Sequence, residues 1–92
     1  MVGELSSKAV VNSNATTQVK TGSGVLKRIT VLDPGTTWQA ILYDDTAGTS
    51  NTLGTYKSAA GGGNMDFGVT FVNGLKVVTS GTTPGSLVFV YE

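Results

Sequence analysis

Six carboxylates are the chain's whole stock of acidic groups: Glu4, Asp33, Asp44, Asp45, Asp66 and Glu92. Histidine and cysteine are absent, which removes the commonest general base and the thiolate nucleophile. Serine–histidine hydrolase arrangements are therefore excluded. Asp44 and Asp45 are neighbours, but successive residues of a strand point to opposite faces, so they do not form a ready acid–base pair. With Thr46, Thr49 and Asn51 they offer an oxygen-rich loop for calcium, set against the plainer reading of a solvated turn; the spacing of helical calcium loops is missing. Asp33 opens a turn, an ordinary place for aspartate. Gly61-Gly62-Gly63 lacks the Lys-Ser/Thr and the following helix of a phosphate cradle, and reads as a loop. The expectation is a protein that is not an enzyme, with no catalytic, cofactor-binding or metal-binding residues.

Binding chemistry is the other possibility. Trp38, Tyr43, Tyr56 and Tyr91 carry faces that stack on sugars or on a partner. Trp38 aligns with Ala40 and Leu42, which favours the core. Tyr43, followed by Asp44-Asp45, and Tyr56, between Thr55 and Lys57, are expected at exposed contacts. Leu87 to Tyr91 is apolar or aromatic at every position, so both faces of that strand need cover, one from the core and one from loops or another subunit. Val78, Val88, Val90, Tyr43 and Tyr56 are the candidate interface residues.

These residues must be positioned by a small scaffold of balanced charge. The chain has 92 residues and a net charge of zero, a length that fits one domain. A chain this short buries only about 60–65% of its unfolded surface, and small domains commonly rely on disulfides, metals or oligomerisation. Without cysteine, oligomerisation is the device left. The six cations are scattered, with only Lys27 and Arg28 adjacent, so the basic stripe that phosphate neutralisation needs is missing and no nucleic-acid partner is expected. No apolar run reaches the roughly 18 residues of a membrane span. The start of the chain lacks the charged and apolar regions of a signal peptide, which argues against use of the sequon at Asn14-Ala15-Thr16.

Gly, Ser and Thr make up 35 of the 92 residues. Such a chain is a poor helix former, and its Thr and Val suit strands, so no helix longer than a turn is expected. Strands are predicted at Lys8 to Val11, Thr16 to Lys20, Val25 to Leu32, Thr37 to Asp44, Leu53 to Ser58 and Leu87 to Tyr91, with residues 1–7 a possible arm. Val25, Ile29 and Val31 share one face of the third, and Trp38, Ala40 and Leu42 one face of the fourth. Asp33-Pro34-Gly35-Thr36 predicts a type II turn, proline presetting the first central torsion and glycine supplying the positive second. Gly54 marks Leu53 to Ser58 as an edge or bulge, and residues 59–64, with three consecutive glycines, read as the most mobile segment.

The strongest local signal runs from Met65 to Thr79. Met65, Phe67, Val69 and Phe71 alternate with Asp66, Gly68 and Thr70, the period of a half-buried strand. Asn73-Gly74 suits a tight reversal into Leu75 to Thr79. A three-residue loop, Val72 to Gly74, gathers Phe67, Val69, Phe71, Leu75 and Val77 on one face, unless the two strands part into different sheets at this corner. About eight short strands with regular turn signals make an all-β, two-sheet antiparallel sandwich, and eight strands in two sheets favour a jelly-roll-like arrangement.

Several phrases together resemble a known family. They are Gly24 to Val31, Gly35-Thr36-Thr37-Trp38 with Leu42-Tyr43-Asp44, Met65-Asp66-Phe67, Phe71 to Leu75, Thr79 to Thr82 and Leu87 to Tyr91. From residue 24 to 92 the chain resembles the small all-β accessory structural proteins of tailed bacteriophages, the capsid decoration or cement proteins. The resemblance implies a virion protein on the capsid exterior, a homo-oligomer, commonly a trimer, bound to the major capsid protein. It brings no catalytic residues and no cofactor. Alternatives from other classes are a glycan-binding module using Trp38, Tyr43 or Tyr56, and a tail or head-fibre component.

Overall fold

The computed structural model describes residues 7–46, Gly48 and residues 51–92. Eight strands follow in chain order: β1 (Ser7–Val11), β2 (Thr16–Thr21), β3 (Gly24–Asp33), β4 (Thr36–Tyr43), β5 (Thr52–Lys57), β6 (Gly63–Phe71), β7 (Gly74–Thr83) and β8 (Ser86–Tyr91). Among the described residues the helical content is one 3₁₀ turn, Ser58–Ala60. The possible N-terminal arm falls outside the described residues except for Ser7, which opens β1. The glycine-rich segment is shorter than its composition suggests, because β6 already begins at Gly63.

The strands form two four-stranded sheets, sheet A in the order β1-β8-β3-β6 and sheet B in the order β2-β7-β4-β5. All pairings are antiparallel. Consecutive strands β1 to β4 alternate between the sheets, and β5 to β8 return through them, which is the two-Greek-key winding of a jelly roll. Leu26, Ile29, Val31, Phe71, Leu87 and Phe89 from sheet A meet Trp38, Ala40, Leu42, Tyr56, Leu75 and Val77 from sheet B, all buried. β5 is an edge strand of sheet B, as Gly54 suggests.

Adding four to each strand number of sheet A, counted modulo eight, reproduces sheet B in reverse order, so the two halves of the chain are wound equivalently. The sequence carries a trace of it. Gly24, Pro34 and Gly35 recur as Gly74, Pro84 and Gly85, each 50 residues on. Both Pro-Gly pairs carry the chain from one sheet to the other, β3 to β4 and β7 to β8. Gly35 has φ 71°, as the type II turn requires, and its N–H donates to Asp33 Oδ1 at 2.9 Å. The two corners touch: a β-carbon on Gly85 would lie 1.9 Å from the Asp33 carbonyl oxygen and 2.6 Å from the Gly35 nitrogen. Glycine is needed there for backbone to approach backbone.

Two expectations about strands are corrected. The stretch from Met65 to Thr79 is not a hairpin. β6 pairs with β3, while β7 pairs with β2 and β4. The strands part at the corner because Phe71 and Leu75 both enter the core, from opposite sheets. The second correction concerns β3, whose buried residues are Leu26, Ile29 and Val31 rather than Val25, Ile29 and Val31. The ladder slips between Leu26 and Arg28, and one extra residue in a bulge reverses the facing of what precedes it. Lys27 pairs there with Glu92 at 2.8 Å.

Candidate functional site

The aspartates that follow β4 are bonded to backbone. Asp44 comes directly after the strand, and its carboxylate faces the β6–β7 corner. Oδ1 accepts from the N–H groups of Asn73 at 2.7 Å and Gly74 at 3.3 Å, and both oxygens accept from Val72, at 3.1 and 3.0 Å. Three successive amides aimed at one point make a small anion nest. Hydrogen bonds from Val72 and Asn73 hold the Asp44 carboxyl below its ordinary value of 3.8, since a charged acceptor gains more from those donors than a neutral one. Asp45 Oδ1 accepts from Thr46 N–H at 2.8 Å and Gly48 N–H at 3.1 Å. The oxygen-rich calcium loop therefore has its two carboxylates turned to separate partners, and Thr49 lies outside the described residues. Among the described residues no group of three His, Cys, Asp or Glu side chains comes together to hold a metal.

Tyr56 is a correction. It is 1% exposed, pointing inward from β5 beside Ala40, its register partner. Its hydroxyl donates to Gly61 O at 2.9 Å, and burial, with the nearby negative Asp33, pushes the phenol up from 10.0. Polar sequence neighbours mislead here because Thr55 and Lys57 belong to the outer face, while the alternate position meets the core. Trp38 is 2% exposed and donates from Nε1 to Asn14 Oδ1 at 2.8 Å; Asn14 Nδ2 in turn donates to Gly81 O at 2.9 Å. Neither ring is available as a sugar-stacking platform.

The remaining candidates separate onto opposite sides of the sandwich. Val78 and Tyr43 are half-buried on the outer face of sheet B, Val78 between Thr16 and Ile41, Tyr43 beside Lys76. The loop after β4 folds over part of this face. Lys76 Nζ donates to Gly48 O at 3.0 Å and Gln18 Nε2 to Asp45 O at 3.1 Å. A shallow groove of about 700 Å³ crosses the far end of the same sheet, lined by Thr37, Gln39, Lys57, Ser58 and Ser80 among others. Thr37 there has φ 47°, a rare torsion for a β-branched residue.

Val88 and Val90 lie on the outer face of sheet A, half-buried because β8 is central, between β1 and β3. The register places two rows across this face. One is Lys8, Val90, Arg28, Asp66; the next is Val10, Val88, Thr30, Asn64. A concavity of about 400 Å³ is lined by Lys8, Arg28, Thr30, Val88 and Val90. Val10 is 59% exposed. This convergence is invisible strand by strand. The alternation of Lys8 and Val10 with Ala9 and Val11 is its only signal in the sequence.

No protein-family model matches the chain, and no curated protein matches it in sequence.

Proposed function

We propose that the chain is a non-enzymatic virion structural protein, a decoration or cement protein that binds the major capsid protein on the outside of a bacteriophage head. It stabilises the head as a homo-oligomer, the trimer being the state the sequence resemblance implies. The observation that carries this reading is the outer face of sheet A. It presents an apolar strip of Val10, Val88 and Val90 across β1 and the central strand β8, while the described acids are bonded to backbone, paired with Lys27 or isolated. A small sandwich with an exposed apolar strip and no assembled polar site is suited to making contacts.

Antibody labelling of intact particles tests the reading. Label on the head exterior, with heads lacking the protein less resistant to heat or chelator, is the expected result. Label confined to the tail or fibres, or absent from the particle, refutes it.

A further inference from the structure

We propose that the outer face of sheet A pairs with the same face of a second copy about a two-fold axis that runs parallel to the strands, between β8 and β3. The pairing uses the same apolar strip that carries the capsid reading and assigns it to a contact between copies, so it concerns how two copies meet in solution and is tested on the free chain.

Charge placement selects this occupant and this axis. A two-fold axis along the strands keeps every cross-strand row level and reverses its order. The row Lys8, Val90, Arg28, Asp66 then meets Asp66, Arg28, Val90, Lys8 of the second copy. Each Lys8 faces an Asp66 of the second copy at the rim, twice by symmetry, and the stem of each Arg28 lies over Val90. In the adjoining row, Val10 covers Asn64 and Val88 covers Thr30. An axis across the strands through this row would instead set Lys8 over Lys8, Arg28 over Arg28 and Asp66 over Asp66, gathering like charges. Lys8, Arg28 and Asp66 have no ion-pair partner among the described residues, so all three are available.

The rest of the face agrees. Val10, one of the three large apolar side chains exposed among the described residues, lies on it. Sheet B's outer face is partly roofed by its own loop, whereas sheet A has no such cover among the described residues. Four strands about 4.8 Å apart, over about six residues of about 3.3 Å, make a patch roughly 20 Å on a side. Two patches bury on the order of 1,000 Å² once side-chain relief is counted, the lower end of specific interfaces. A pair of such sheets packs with strand directions within about 30°.

Sedimentation equilibrium on the full chain, up to about 1 mM because a face this size binds weakly, tests the proposal. The unaltered chain is expected to show mass doubling with concentration. Lys8→Glu places an acid opposite Asp66 in both contacts and is expected to raise the dissociation constant at least about 10-fold. Lys8→Glu with Asp66→Lys restores the complementarity and returns it to within about 3-fold of the original. Lys57→Glu, on the outer face of sheet B, leaves it unchanged. Circular dichroism confirms that each variant keeps its sheet content, as expected for exposed positions. A monomer at every concentration, a closed trimer, or a dimer insensitive to Lys8→Glu or not rescued by the double exchange would overturn the proposal. Capsid labelling is read separately, so either idea can fail alone.

Discussion

Replacing Gly85 with alanine tests the close backbone contact between the two Pro-Gly corners. The new methyl would start 1.9 Å from the Asp33 carbonyl oxygen, 2.6 Å from the Gly35 nitrogen and 2.8 Å from the Asp33 carbonyl carbon. All three are backbone atoms, so no flexible side chain can swing away, and relief requires the corners to separate by more than about 1 Å. Overpacking of this kind costs about 1–3 kcal/mol. Rigid neighbours place Gly85→Ala at the upper end, about 3 kcal/mol. For a domain of this size each kcal/mol moves the melting temperature by about 4–8 °C, so a fall of roughly 12–24 °C is expected. Total stabilities of about 5–15 kcal/mol leave the variant folded at room temperature, and the denaturant slope should stay unchanged. Gly62→Ala is the control: its nearest neighbour is the Val31 carbonyl oxygen at 3.4 Å, an ordinary contact, and it should melt within about 2 °C of the parent. A Gly85→Ala variant that melts as the parent does would refute corner-to-corner packing.

Three further outcomes follow from individual contacts. Because the Asp44 carboxyl is depressed in the fold by the amides of Val72 and Asn73, its contribution is complete above the unfolded value and disappears as pH falls through the lower folded one. Asp44→Asn should thus melt below the parent at pH 6, and the gap should close on acidification below about pH 3.8; a gap independent of pH in thermal melts would contradict this. Tyr56→Phe removes the donor to Gly61 O while keeping the ring, at a cost of about 1 kcal/mol by chemical denaturation. Asn14→Ala leaves the indole N–H of buried Trp38 unpaired, costing about 1–3 kcal/mol, and the same variant should show altered tryptophan emission.

Much of the fold is legible in the amino-acid sequence. The apolar alternation of Trp38, Ala40 and Leu42, the Pro-Gly turn at residues 34 and 35, and the dearth of helix formers are local properties. They reappear as buried positions, a φ of 71° and a single 3₁₀ turn among the described residues. Local pattern also dictates that Leu87 and Phe89 alternate with Val88 and Val90 across one strand.

Which strands pair is not a local property. Asn73-Gly74 has hairpin chemistry, yet the chain crosses between sheets, because burying Phe71 and Leu75 from opposite sides and bonding three amides to Asp44 outweighs pairing β6 with β7. The facing of Val25 and Leu26 turns on a bulge, which exists only where two neighbouring strands are registered against β3. Tyr56 goes inward because its strand edge faces Ala40, some distance off in sequence. The face carrying Lys8, Val90, Arg28 and Asp66 draws one residue from each of four strands. Local chemistry along the chain settles which residues alternate and where the strands turn. That those four share a row is a product of tertiary pairing alone, because cross-strand neighbours are set by register and register is set by the whole core.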